Sequence, residues 1–446
     1  MHKNQLLGIA LGALLIGAAG CKDLTVPDLN NPSLEELTQT PTKTSIGTAA
    51  QGLLIGTRAG MGNRNGYVSL LGIIGRESYN FDIADPRFIT EMLVGPLDGA
   101  SPAFGGNLWA NPYANIRGAN IILDAVDGVE DMTSEEKEAT KGFAKTIQAL
   151  DFLKVINVRD DNGAPVAVGV DLSEAPAPIV GKAAVFAFIV QLLDEAQGHL
   201  QAGGGAFPFA LSAGFAGFDD PVSFLTFNRA LKARVDVYMG NFDAALTSLS
   251  ASFLDDGGDL TVGVYHEYGT QSGDTQNALF EATSGRNILA HPSIVADADL
   301  QAGGEPDERL SKIVDVDERT LGGITTDKGF AIYEGLSVFL PIIRNEELIL
   351  LRAEANVGLV NVAAAAADIN LIRTTSGGLD PRMDLDAANI LDELLKQKRY
   401  SMLFEGGHRW IDMRRYGKLG ELPLDVATHT VHDEFPIPTN ETLARQ

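Results

Sequence analysis

The sequence predicts a mostly all-α protein: antiparallel helix pairs, with a loop-rich remainder that carries short β-hairpins. Three stretches predict it. Phe224–Met239 repeats apolar residues at helical spacing, breaks at Gly240-Asn241 and resumes as Phe242-x-x-Ala245. Thr133-x-x-Glu136 is a capping box at the head of a long helical run. Near the C-terminus, Leu391, Leu394, Leu395 and Met402 fall on one helical face that also carries Lys398 and Glu405.

Taken in order, the chain starts with His2 and Lys3, an apolar run over 6–19 and then Ala18-Ala19-Gly20-Cys21. That run is too short to span a bilayer and reads as a signal peptide over 1–20. Cys21 is the only cysteine, so no disulfide can form within the chain and the fold must rely on its core. Residues 21–44 are rich in Pro, Asn, Asp and Thr and read as a tether; 45–446 is expected to form one domain, long enough to bury a sizeable core.

Within that domain, Ser45 to Leu71 is predicted to form the first core helix. Its glycines Gly60, Gly62 and Gly66 have the wrong spacing for a dinucleotide loop. Gly75 to Trp109 reads as loop, with Tyr79, Phe81 and Trp109 set among Asp, Pro and Gly. A helix follows over 114–126, another from Thr133 to about Val158 that ends in the turn 160–163, and a third over 185–200. Helix pairs are predicted at 224–254 and 344–375, with turns and short β-like runs between them over 255–340. The glycine pair Gly406-Gly407 is expected to stop the helix that starts at Ile390, and His408 to Tyr416 to form a short second one.

Charge narrows the function. A net charge of −25 and a pI near 4.6 exclude nucleic-acid partners, which require clustered Lys and Arg. The stretch 390–418 is the exception, with seven Lys/Arg against four Asp/Glu. Charges on an apolar helix face are costly to bury unpaired, which predicts a partly buried ionic network drawing on Lys398, Arg399, Glu405, Arg409 and Asp412. The chain has no GxSxG, HExxH or phosphate-loop sequence. Neither His408/Asp412 nor His429/His432 brings a third ligand, so no metal or cofactor is predicted. The acidic turn over 255–259 lacks the ligand order of a calcium hand.

Two resemblances follow from these residues. The turn Gly240-Asn241-Phe242-x-x-Ala245 is similar to that of tetratricopeptide repeats, which makes the expected scaffold four tetratricopeptide-like helix pairs. The order Lys398, Arg399, Leu403, Phe404, Glu405, Gly406, Arg409, Trp410, Asp412, Arg414, Arg415, Gly417 resembles the C-terminal signature of the SusD/RagB family of nutrient-binding outer-membrane lipoproteins, with Gly407 as an added glycine. Trp109, Tyr113, Ile116 and Asn120, the pair Gly163 and Pro165, Ile369-Asn370-x-Ile372-Arg373 and Asp307-Glu308-Arg309 resemble further family patterns. Cys21 resembles a lipoprotein processing site, with Ala18 where Leu is usual.

The resemblance implies a non-catalytic protein, anchored in the outer membrane by acyl chains such as palmitate on Cys21 and exposed at the cell surface. It implies capture of a glycan, or of a peptide, and delivery to a SusC-like TonB-dependent transporter. It also implies that Arg414, Arg415 and the other signature residues are structural. Two rivals remain: a secreted α-helical glycoside hydrolase and a helical-repeat scaffold that binds only proteins. For the ligand platform the candidates are Trp109, then Tyr79 and Phe81, because flat rings on loops suit sugar stacking. At Trp109 the alternative is a core anchor at the head of the helix.

Overall fold

The computed structural model describes residues 34–446 apart from 102, 172 and 283–284. The signal peptide, Cys21 and most of the tether lie outside the described residues. The end of the tether is a short helix, Leu34–Gln39, whose Leu37 is buried in the core.

The longer helices are α1 (Lys43–Arg58), α2 (Tyr67–Ile74), α3 (Ala110–Ala125), α4 (Ser134–Arg159), α5 (Lys182–Ala202), α6 (Pro221–Met239), α7 (Phe242–Ser250), α8 (Asn345–Gly358), α9 (Val362–Thr375), α10 (Ile390–Ser401) and α11 (His408–Arg415). They pack as four pairs, α1 with α3, α4 with α5, α6 with α7 and α8 with α9, each against the next, and α10 closes the row on α8 and α9. The helical scaffold expected from the turns is therefore the observed one. Thr133 caps α4 through the box with Glu136. Gly240 takes φ +75° between α6 and α7, a left-handed turn that glycine adopts without steric cost. Gly358 gives the α8–α9 pair its close fit to the α6–α7 pair: a Cβ there would lie 2.0 Å from the Phe242 ring.

The strands are β1 (Ser78–Asn80), β2 (Gly263–His266), β3 (Ile288–Ala290), β4 (Ile313–Leu321), β5 (Ile324–Phe330) and β6 (Leu340–Arg344). They form an antiparallel sheet in the order β1-β3-β5-β4 and a separate β2-β6 pair. One apolar core, rich in Phe, fills the helices α1 and α3 to α7. A second joins α2, the sheet and α11 around Trp410 and Phe404, and a third lies between α8, α9 and α10.

Two predicted helices are corrected. The run 45–71 is broken: α1 ends at Arg58 and α2 starts at Tyr67. Between them the Tyr67 N–H donates to Gly60 O at 2.9 Å, and a Cβ on Gly66 would sit 2.0 Å from that oxygen. Glycines at 60, 62 and 66 make this turn cheap and a continuous helix costly. Likewise α10 stops at Ser401, before the glycine pair, because Phe404 turns left-handed at φ +56°. Glu405 is therefore in a turn and not on the α10 face.

Candidate functional site

The C-terminal signature is an internal scaffold of charge. Lys398 reaches Glu354 at 2.6 Å and Asp412 at 2.7 Å; Arg415 reaches the same two carboxylates at 2.7 and 3.0 Å. Burial alone would raise the Glu354 carboxyl, but Arg415 and Lys398 outweigh it and hold it down to about 2. A second group is separate: Glu405 accepts from Arg344 at 3.0 and 3.1 Å, and Arg344 also binds Glu346. The single network expected from the sequence is corrected here, since Arg399 turns to Asp297 at 2.8 Å and Arg409 donates to Gly75 O at 3.2 Å. Arg414 lies over the Trp410 ring at 4.3 Å and donates to Asn157 O, while the Trp410 indole N–H donates to His432 O at 2.8 Å. Every one of these side chains is occupied by the protein itself.

The aromatic candidates separate. Tyr79 and Phe81 are not on a loop surface: β1 pairs with β3, their rings stack at 5.7 Å, and they are 1% and 0% exposed in the second core. Pairing with a strand two hundred residues away turns an apparently loop-like stretch inward, so neither ring can face a ligand. Trp109 does reach a cleft, but as part of its floor. Its residue is 5% exposed, with Tyr113 at 4.7 Å and the Arg159 guanidinium 5.4 Å from the ring. Arg159 itself is fully buried with no carboxylate partner among the described residues, and burial lowers it to about 9. It donates to Gly105 O and Asn107 O and so fixes the loop that carries Trp109.

Trp109 is the N-cap residue of α3, and Pro112 fits the first turn because the N–H groups there have no helical partner. Two neighbouring cavities, of about 610 and 250 Å³, meet along Gly106, Trp109 and Ala110. The larger runs beneath a loop whose ends are tied by the antiparallel bridge Ala164↔Val180. One face of α3 pins that loop: the Tyr113 hydroxyl donates to Pro165 O at 2.9 Å, Arg117 to Val170 O at 2.7 Å and Asn120 to Val168 O at 2.7 Å. The spacing of these three residues puts them on one side of the helix. From the C-terminal end, Arg445 donates to Ala177 O at 2.9 Å.

The smaller cavity is lined by Asn63, Asn65, Asn107 and Asn111, beside the Trp109 edge and Pro112. None of these four side-chain amides has a protein hydrogen bond among the described residues. Its one cation, Lys154, is taken by Asp151 at 3.0 Å and by Thr57. Each amide offers donors and acceptors without charge, which matches hydroxyl groups presented in several directions. Sequence reasoning missed these asparagines. The signal was Asn63-x-Asn65 in a glycine turn and Asn107-x-x-x-Asn111 at a helix head, far apart in sequence and joined only by the fold. Among the described residues, no group of three His, Cys, Asp or Glu is placed to hold a metal, and no helix is long and apolar enough to cross a membrane.

These features define a helical-repeat protein with a two-lobed cleft at the head of one helix. Residues 320–442 match the SusD family, and the fold is that of solved SusD superfamily structures. One from Bacteroides vulgatus is 16% identical, with a TM-score of 0.69 over 91% of this chain and 97% of that one. A SusD-like carbohydrate binding protein from Bacteroides fragilis is 14% identical, with a TM-score of 0.67 over 90% and 98%. A laminarin binding SusD-like protein is 19% identical, with a TM-score of 0.56 over 89% and 97%. No curated protein matches the chain. The chain thus has the fold of SusD-like proteins, and its matched residues 320–442 contain the C-terminal signature that resembles that family.

Proposed function

We propose that the chain is a non-catalytic surface lipoprotein that captures a glycan in the Trp109 cleft and passes it to a SusC-like TonB-dependent outer-membrane transporter. The observation that carries the binding step is the convergence, on a cavity floored by Trp109, of four asparagine amides without hydrogen-bond partners among the described residues. Neutral amides beside an aromatic and a proline complement a sugar, which presents hydroxyls at its rim and CH groups on its faces. Two of the similar structures are described as carbohydrate binding and laminarin binding, which supports a glycan over a peptide. In this reading residues 45–446 act as one SusD-like domain, and Cys21 bears the acyl chains that hold it at the outer membrane.

The direct test is titration of the purified mature chain against a panel of oligosaccharides and peptides, with product release followed in parallel. Saturable glycan binding without release of shorter sugars is expected. Release of sugars that a single carboxylate substitution abolishes would support the hydrolase instead, and binding of a protein partner alone would support the scaffold. For the anchor, Cys21→Ala should leave the protein unprocessed or free of the membrane fraction, since one acylated residue is the whole proposed attachment. If the variant still fractionates as a lipoprotein, the assignment of Cys21 is wrong.

A further inference from the structure

We infer that the cleft selects an uncharged glycan and rejects polyanionic ones, such as uronate-rich or sulfated chains, with Asp171 and Glu174 as the discriminating residues. This rests on the reading of the cleft as a glycan site. It comes from asking where the charges around the cavities are used. The cations of the two lobes are all committed. Arg117 places both Nε and a terminal nitrogen on Val170 O, at 3.0 and 2.7 Å. Arg445 binds Ala177 O, Glu441 O and the Glu441 carboxylate, the last at 2.7 Å. Lys154 is a buried partner of Asp151.

The two remaining carboxylates of the larger lobe are not matched. Asp171 and Glu174 line the cavity from the 164–180 loop, are exposed, and have no cation within ion-pair distance among the described residues. Asp171 accepts the Ser173 N–H at 2.8 Å, which fixes its side chain, and the α3 bonds to Pro165, Val168 and Val170 fix the loop beneath it. An anionic sugar entering this lobe meets two exposed carboxylates outside any ion pair among the described residues, with Asp171 offset only through space by Arg117, and no guanidinium or ammonium free of a protein bond, inside a chain of net charge −25. Moving Arg117 or Arg445 to greet the anion would release the carbonyls that hold the loop. A neutral sugar meets none of these costs, and the adjoining lobe offers it amides.

The experiment uses the mature chain and an array of immobilised polysaccharides in two arms: neutral glucans, xylans and mannans against polygalacturonate, alginate and sulfated galactan. Retention confined to the neutral arm is expected. In Asp171→Asn/Glu174→Gln, retention on the acidic arm should rise roughly three- to tenfold at low salt and the gain should shrink at high salt, because exposed charges are screened. The unfolding midpoint should not move, since neither carboxylate holds the fold. Wild-type retention on an acidic polysaccharide equal to that on the neutral ones would overturn the inference and leave the glycan reading intact. So would a double variant indistinguishable from wild type on the acidic arm. If neither arm retains the protein, the glycan reading fails and this inference fails with it.

Discussion

The charged core around α10 and α11 and the cleft at the head of α3 treat polar side chains in opposite ways. In the first, Lys398, Arg415, Glu354 and Asp412 are buried or nearly so and satisfy one another. In the second, the side-chain amides of Asn63, Asn65, Asn107 and Asn111 are near the surface and have no hydrogen-bond partner among the described residues. A buried charge is costly unless paired, so the first region binds its residue types and spacing tightly together and leaves a pattern that sequence reading can recognise. An amide at the surface is satisfied by water and constrains nothing until a ligand replaces that water. The region that identifies the fold is thus the one with no capacity left for a ligand.

The comparison breaks most visibly if the charged core is not truly load-sharing. Glu354→Ala leaves Lys398 and Arg415 each short of a carboxylate in a site that water does not reach, and should destabilise the protein by about 3 to 5 kcal/mol in urea unfolding. Asp412→Ala and Glu405→Ala should each cost about 3 kcal/mol or more, since their arginine and lysine partners are buried. A loss below about 1 kcal/mol would be that of an exposed pair and would erase the contrast.

Trp109 belongs to both regions in character, because its ring is packed like core while its edge forms the cleft floor. The sequence left two readings for it, a ligand platform on a loop and a core anchor at the head of the helix, and only the first would make truncation cheap in stability. With the Tyr113 ring at 4.7 Å and the Arg159 guanidinium at 5.4 Å, Trp109→Ala should cost about 3 kcal/mol and abolish binding together with it. Trp109→Phe keeps an aromatic floor and should recover most of the stability, so residual loss of glycan affinity in that variant reports on the cleft itself. An unchanged melting temperature in Trp109→Ala would mean that the ring is not packed as described.

Two titrating groups near the C-terminal signature sharpen the picture by opposing each other. Glu77 is buried, and burial pushes its carboxyl up to about 7, against the pull of the Phe404 N–H. Its raised value contributes stability that is complete below about pH 4.5 and is lost as pH rises through 7. Burial lowers His408 to about 4, so its contribution is complete above about pH 6.5 and is lost as pH falls through 4. Between these limits the two slopes oppose. In Glu77→Gln the first is removed, and the stability of the variant relative to wild type should fall by about 2 to 3 kcal/mol between pH 8 and pH 5. Parallel curves for the two proteins would show that Glu77 is ionised in the fold at neutral pH.

The helix pairs were legible because their signals are local: a capping box at Thr133, a left-handed glycine at 240, an apolar period between. The partner of Lys398 was not, since Glu354 lies on α8 and comes to α10 only through tertiary packing. Tyr79 and Phe81 looked like loop residues for the same reason, as β1 has no meaning without β3. At the cleft, Trp109 stood out by residue type, while the asparagines did not, because surface amides are common and only their convergence is informative.

The smallest expected effect on stability is therefore the most telling about the cleft. Asn65 and Asn111 are exposed, their side-chain amides make no hydrogen bond among the described residues, and they come from a turn and a helix head to the same cavity. Replacing either by Ala removes no partner from any buried group, so the unfolding free energy should change by less than about 0.5 kcal/mol. Each amide that hydrogen-bonds a sugar hydroxyl should contribute about 1 kcal/mol to binding, which is roughly a fivefold loss of affinity per substitution. Because the two sites contact one ligand from separate elements, their losses should approximately add in Asn65→Ala/Asn111→Ala, to about twenty- to thirtyfold. Unchanged affinity in the double variant, at unchanged stability, would move the ligand away from this lobe and towards the larger cavity beneath the 164–180 loop.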